Sequence, residues 1–197
     1  MKTVSLIGFR EVGFDKNSPY ANEDALIRAG HVGVMLEGDD AIYGFHPTPE
    51  AIEAEGGIEN VINKLKDKRA AYTIDGRVYN DRNVFVRAAE LAELNTPIRF
   101  ASNTKDPVEF LEVWQFDFSV DDEEFLRIRD QLLAYFEKGT ISPYAFPRFN
   151  PTGDNCATFP MKIGIRVPVV EPPGQLSLYI PELEKQGKRW RPPQDMN

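Results

Sequence analysis

The clearest hydrophobic pattern in the chain is a pair of apolar runs, residues 31–37 and 40–46, on either side of Gly38-Asp39. Two such runs separated by a Gly-Asp pair predict a β-hairpin with a two-residue turn. Counting outward from that turn sets His31 directly opposite His46, and a four-residue loop gives the same pairing. A three-residue loop would place the two histidines diagonally. Directly opposed residues share a face, with Cβ atoms about 4.5–5.5 Å apart. The only two histidines of the chain are therefore predicted to be cross-strand neighbours.

The spacing of apolar residues predicts most other elements. Strands are expected over residues 2–10 and 108–120, with a small strand pair at 73–78 that turns at Asp75-Gly76. Helices are expected over residues 49–55, 58–68, 83–94 and from about 121 to Gly139. This mixture predicts a single α+β domain over residues 1–197. Residues 47–105 are interpreted as an elaboration inserted between core elements.

Composition and charge narrow the function classes. The chain has 23 Lys and Arg against 31 Asp and Glu, a formal net charge of −8, which disfavours nucleic-acid binding. No stretch approaches the roughly 20 apolar residues of a membrane span. The apolar run near the N-terminus is too short for a signal peptide. We therefore expect a cytoplasmic protein, or one exported without a cleavable signal peptide, that binds no nucleic acid.

The only cysteine, Cys156, follows a polar loop and precedes an apolar set of residues. This pattern predicts a short helix that starts at the cysteine, capped by Asn155 or Asp154, where unpaired backbone N–H groups favour a thiolate. Pro160 fits such a helix only within its first turn. The alternative is that Cys156 is a small buried hydrophobic residue, since free cysteines are among the most buried residue types.

Nucleophilic cysteine chemistry needs a thiolate, a base and a group that orients the base. Cys156 would be the nucleophile, with one of His31 and His46 as the base and the other as the orienting group. The same three residues could instead supply three ligands of a zinc site. We expect the first arrangement, which requires neither a metal nor a cofactor.

Two short blocks of sequence carry a family resemblance. Pro143-Tyr144 followed by Gly153-Asp154-Asn155-Cys156 resembles the nucleophile segment of NlpC-type papain-like cysteine hydrolases. Both histidines precede the cysteine, which is the circularly permuted order of the lecithin:retinol acyltransferase-like and YaeF-like branch. The resemblance covers residues 29–47 and 143–165. The chain departs from unpermuted members at Ala157-Thr158, where they carry Ser-Gly, and at Pro160.

The resemblance implies a permuted papain-like fold, in which an antiparallel sheet packs against the helix that starts at the nucleophile. It implies Cys156 as nucleophile, His31 as base and His46 as orienting residue. It also suggests Tyr144 and Asn155 near the oxyanion or the substrate. The expected activity is hydrolysis of an amide bond, with a peptidoglycan-type peptide as the favoured substrate.

Two other function classes use the same residues differently. An acyltransferase or deamidase acting on a protein or a lipid would use the same thiolate with another acceptor. A non-catalytic acidic interaction module would keep Cys156 merely buried. The expected partner is a peptide or acyl substrate, joined by an immunity or delivery protein if the chain is a secreted effector.

Overall fold

The computed structural model describes residues 1–13, 16–67, 72–98, 109–146, 152–166 and 185–193. Their strands are Lys2–Phe9 (β1), His31–Leu36 (β2), Tyr43–Pro47 (β3), Ile74–Asn80 (β4), Pro97–Ile98 (β5), Glu109–Phe110 (β6), Trp114–Val120 (β7), Ser142–Tyr144 (β8) and Lys188–Arg189 (β9). Their helices are Ala25–Ala29 (α1), Pro49–Ala54 (α2), Ile58–Lys66 (α3), Arg82–Glu93 (α4), Asp122–Glu137 (α5) and Phe159–Lys162 (α6). None of the helices in these ranges combines the length and the apolar character that a membrane crossing requires.

Seven of the strands form one sheet in the order β8-β4-β3-β2-β1-β7-β9, and every neighbouring pair is antiparallel. Strands β5 and β6 pair separately. The α+β class and the antiparallel sheet are confirmed. The segment 47–105, interpreted as an elaboration, supplies β4, which lies inside the sheet between β8 and β3.

Both faces of the sheet are covered, as the burial of β1 shows. All residues from Val4 to Phe9 are buried, so its alternating side chains contribute to two cores. Val4 and Leu6 belong to the first core, which includes buried residues of α3, α5 and α6 together with Cys156. Ile7 and Phe9 belong to the second core, which includes buried residues of α1 and α4 together with Trp190.

The predicted register of the β2–β3 hairpin is confirmed. Gly33 pairs with Gly44 and Val34 with Tyr43, the same register that sets His31 opposite His46. The connection differs from the prediction, because β2 ends at Leu36 and β3 begins only at Tyr43. The tight turn spans residues 36–39, and the Asp39 carboxylate then accepts hydrogen bonds from the backbone N–H of Ala41 and the Tyr43 hydroxyl.

The turn predicted at Asp75-Gly76 is wrong, because β4 runs straight through both residues. Gly76 serves close packing instead. A Cβ atom at that position would lie 2.7 Å from Cζ of Phe45 and 2.9 Å from Cβ of Tyr144. A glycine that looks like a turn signal in the sequence therefore marks a close approach of two aromatic residues to the strand.

The helix expected to start at Cys156 begins three residues later, at Phe159. A helix that began at Cys156 would require the backbone N–H of residue 160 to donate to the Cys156 carbonyl. Pro160 has no N–H, and its ring would clash with that carbonyl. In the four-residue helix α6, Pro160 lies within the first turn, where proline is tolerated.

Phe159 is expected to be a main contact between α6 and the sheet. It is buried, stacks on Phe45 of β3 with ring centroids 5.1 Å apart, and meets the edge of Tyr135 at 5.3 Å. We expect Phe159→Ala to lower the free energy of unfolding by about 3–5 kcal/mol, measured by urea denaturation. Leu126→Ala, at an exposed position of α5, should change it by less than about 0.5 kcal/mol. Equal losses in the two variants would contradict this packing.

Candidate active site

His31 lies at the start of β2 and is held on two sides. Its side chain is 1% exposed, and its Nε2 lies 2.8 Å from Oδ2 of Asp81. The Phe85 ring of α4 covers the imidazole, with ring centroids 5.5 Å apart. Since Nε2 is committed to the carboxylate, Nδ1 is the ring nitrogen left for exchanging a proton with another group.

Asp81 was not predicted from the sequence, yet it connects the two histidines. One carboxylate oxygen bonds Nε2 of His31 and the other lies 3.2 Å from Nε2 of His46. Asp81 occupies the N-cap position of α4, but its side chain accepts no hydrogen bond from that helix. An aspartate at this position ordinarily stabilises a helix by about 1 kcal/mol through such a bond. An aspartate before a predicted helix is ordinarily interpreted as a helix cap. The sequence does not show that the Asp81 carboxylate points away from the helix, so no local pattern identified Asp81 as a site residue.

His46 is the most exposed member of this group, at 12% for its side chain. Its Nδ1 lies 3.0 Å from the Pro47 carbonyl oxygen, and its ring stacks on Tyr79 with centroids 4.3 Å apart. Both partners of its ring nitrogens are oxygen acceptors, so both bonds form at once only when each nitrogen carries a proton. The two imidazoles are neighbours, as the sequence predicted, and meet edge-on with ring centroids 5.8 Å apart. The orienting bond to His31 that the sequence assigned to His46 is made by Asp81, whose carboxylate bonds Nε2 of each ring.

Cys156 is 4% exposed and sits on a turn that Asn155 organises. The Oδ1 atom of Asn155 accepts hydrogen bonds from the backbone N–H groups of Ala157, at 2.9 Å, and Thr158, at 3.1 Å. Asn155 thus holds this turn, but the predicted capping of a helix by Asn155 or Asp154 is wrong, because the N-cap residue of α6 is Thr158. The predicted place of Asn155 beside the oxyanion or the substrate stays a prediction.

The segment that carries Cys156 is also tied to β8. The backbone N–H of Ala145 donates to the Asp154 carbonyl at 2.9 Å, and the N–H of Asp154 donates to the Pro143 carbonyl at 3.1 Å. Lys162 forms an ion pair with the Asp154 side chain at 2.8 Å. These bonds hold β8 beside the Cys156 segment, near enough that the charge of Cys156 acts on Tyr144. The predicted place of Tyr144 near the oxyanion or the substrate stays a prediction.

The electrostatics of the site favour a charged His31 beside a charged Asp81. Burial, the largest influence on His31, favours the neutral ring, but hydrogen bonds to Asp81 and Cys156 outweigh it and raise the pKa of His31 to about 10. Burial also favours the neutral form of Asp81. Hydrogen bonds from His31 and His46 overcome it and lower the pKa of the carboxyl below its usual value. The buried carboxylate is therefore compensated by the two imidazoles.

Tyr144 keeps its phenolic proton in this environment. Burial, and after it the charge of Cys156, raise the pKa of Tyr144 well above the usual 10.0. Its ring packs beside Phe45, with centroids 5.7 Å apart. A phenol that stays protonated is a hydrogen-bond donor, which is the property that a developing oxyanion needs.

The arrangement resembles a nucleophile, a base and an orienting carboxylate in series. His31 bonds Asp81 through Nε2, and a hydrogen bond to Cys156 contributes to the raised pKa of its ring. All five residues predicted for the site, His31, His46, Tyr144, Asn155 and Cys156, lie in or next to this group. Within the described ranges, no three or more His, Cys, Asp or Glu side chains are arranged to hold a metal ion.

Comparison of the chain with family models, with curated proteins and with solved structures found no match.

The raised pKa of His31 gives a pH dependence with a defined sign. The raised pKa of His31 contributes to the free energy of unfolding. This contribution is fully present below pH 6.5, the usual pKa of histidine, and is lost as the pH rises towards about 10. We expect the His31 ring to remain an imidazolium at about pH 8 in NMR titrations of its ring nitrogens. Asp81→Asn should lower the pKa of His31, because it removes the negative charge at Nε2.

The matched control for that titration is Asp117→Asn. Asp117 lies on β7 and bonds Ser5, Gln115 and Lys188, so its loss leaves the charges around His31 in place. A His31 ring that titrates near 6.5 in the wild-type protein would contradict the description of the site.

Proposed function

We propose that the chain is a cysteine hydrolase of the permuted papain-like kind, which cleaves an amide bond with Cys156 as the nucleophile. The observation that carries this proposal is the buried His31, which bonds the Asp81 carboxylate through Nε2 and whose pKa is raised by hydrogen bonds to both Asp81 and Cys156. Support for the fold comes from the order of the elements. The histidines lie on a hairpin early in an antiparallel sheet, and the later Cys156 segment packs on that sheet through Phe159.

The reaction begins from the ion pair in which His31 already carries the proton as an imidazolium and Cys156 is a thiolate. The thiolate attacks the carbonyl carbon of the amide, and the electron pair of the carbonyl moves to its oxygen. The backbone N–H of Cys156 and the Tyr144 hydroxyl are the donors assigned to that oxyanion. Collapse of the intermediate breaks the carbon–nitrogen bond, and the His31 imidazolium gives its proton to the leaving amine.

Water completes the cycle. His31, now neutral, takes a proton from a water molecule, and the resulting hydroxide attacks the thioester carbonyl. The carbon–sulfur bond breaks, the carboxylic acid leaves, and the Cys156 thiolate is restored. Asp81 keeps the His31 ring in one orientation throughout and stabilises its charged form.

The favoured substrate is a peptidoglycan-type peptide, an assignment that rests on the resemblance of residues 29–47 and 143–165 to the NlpC-type hydrolases. An acyltransferase or a deamidase would use the same Cys156–His31–Asp81 series with a different acceptor or a side-chain amide. The residues of the site support a shared first half-reaction for all three activities.

A non-catalytic interaction module is the second candidate function, and the burial of Cys156 favours it. The thiol is 4% exposed and belongs to the first core. Such a module would use the acidic surface that a net charge of −8 provides, and Cys156 would only fill space. A non-catalytic module would not explain why His31 and Asp81 are charged and buried, since buried charges are costly to maintain in a core.

The test is hydrolysis of peptides released from peptidoglycan, with the new amine detected by mass spectrometry. We expect cleavage by the wild-type protein and none by Cys156→Ala. His31→Ala should lower the rate by about 10²–10⁴-fold, the usual contribution of a general base. Leu126→Ala, remote from the site and exposed, should keep the full rate. Cleavage that persists in Cys156→Ala would sink the proposal.

A further inference from the structure

Gly44 lies where Asp81 has to cross the sheet to reach His31. It pairs with Gly33 on β2 and with Tyr79 on β4, so β3 separates the strand that carries His31 from the strand that leads to Asp81. Neighbouring strands are about 4.7–4.9 Å apart. A side-chain bond between the two outer strands must therefore pass over the middle strand.

The space above Gly44 is filled by the two atoms that form that bond. A Cβ atom at this position would overlap Oδ2 of Asp81 and Nε2 of His31, and would lie 3.0 Å from Cε1 of the same imidazole. Oδ2 and Nε2 are the partners of the 2.8 Å hydrogen bond. The hydrogen bond thus occupies the volume that any other residue at position 44 would need.

Backbone conformation does not explain the glycine. Gly44 is absent from the described glycines with a positive φ angle, so any residue could adopt its extended backbone. Glycine inside a strand ordinarily weakens it, because it loses more entropy on folding and offers no side chain to pack. The close approach of the carboxylate and the imidazole is the feature that requires it.

We propose that Gly44 is a positioning residue of the site: the lack of a side chain there lets the Asp81 carboxylate cross β3 and hold His31. A side chain at 44 would separate the base from the carboxylate that orients it. The catalytic consequence rests on the proposed function, whereas the coupling between positions 44 and 81 does not.

The experiment is a double-mutant cycle on stability, with Gly44→Ala, Asp81→Ala and the double variant compared with the wild-type protein by urea denaturation. We expect Gly44→Ala to raise the unfolding equilibrium constant by at least ten-fold more in the wild-type background than beside Asp81→Ala. Without the carboxylate, the His31 ring can move into the vacated space and the new methyl group is accommodated. An additive cycle would overturn the proposal.

Gly33→Ala is the matched control, because Gly33 is the direct cross-strand partner of Gly44. Its Cβ would lie 2.6 Å from Cγ2 of Ile42 and 3.0 Å from Cε2 of Phe85, so it crowds apolar groups instead of the carboxylate. It should lose stability equally in the wild-type and Asp81→Ala backgrounds. Coupling of the same size for Gly33 would contradict a specific role for Gly44.

Two further readouts keep the proposal testable. In NMR titrations, Gly44→Ala should lower the pKa of His31 as Asp81→Asn does, and an unchanged His31 titration would overturn the proposal. If Gly44→Ala alone does not fold, the double variant should fold. A double variant that stays unfolded while Asp81→Ala folds would also overturn it. A wild-type protein that cleaves no peptide would contradict the proposed hydrolase and leave the cycle unaffected.

Discussion

A buried carboxylate between two imidazoles is the interaction on which the rest of the site depends. Asp81 is 5% exposed, and a charge at such depth is costly unless it is paired and hydrogen-bonded. His31 and His46 each bond one of its oxygens, so the charge is compensated on both sides. Removal of one partner from such a group typically costs about 3–5 kcal/mol, because it leaves an unpaired buried charge. The three side chains therefore act as one unit.

The sheet makes this unit possible through its strand order. Strands β2, β3 and β4 lie side by side. Strand β2 carries His31, β3 carries His46, and Asp81 directly follows β4. Phe85 from α4 covers His31 on the face of the second core. Cys156 reaches the imidazole from a segment that belongs to the first core. The site thus forms where the two cores meet at the end of the hairpin, which explains both its burial and its dependence on the whole fold.

Local patterns in the sequence predicted the part of this site that lies within one hairpin. The register of β2 and β3 follows from alternation and turn length, so the pairing of His31 and His46 could be derived. Asp81 lies 50 residues beyond His31, and its contact depends on β4 lying next to β3, which no local pattern encodes. Asp75-Gly76 predicts a turn because the sequence does not show that Phe45 and Tyr144 approach Gly76. The start of α6 could have been derived from Pro160 alone, since proline cannot supply the N–H that an earlier start requires.

The proposed mechanism depends on activation of the Cys156 thiol by His31, which Asp81 holds in place. Its most direct test is the rate of iodoacetamide alkylation at Cys156 against pH, in the native wild-type protein and in His31→Ala, with the urea-unfolded chain as the reference. We predict that native Cys156 reacts faster than the unfolded chain in mildly acidic solution, and that His31→Ala abolishes this advantage. A native cysteine that stays inert until the protein unfolds, or whose reactivity ignores His31, would contradict the account and favour a thiol that only fills the core.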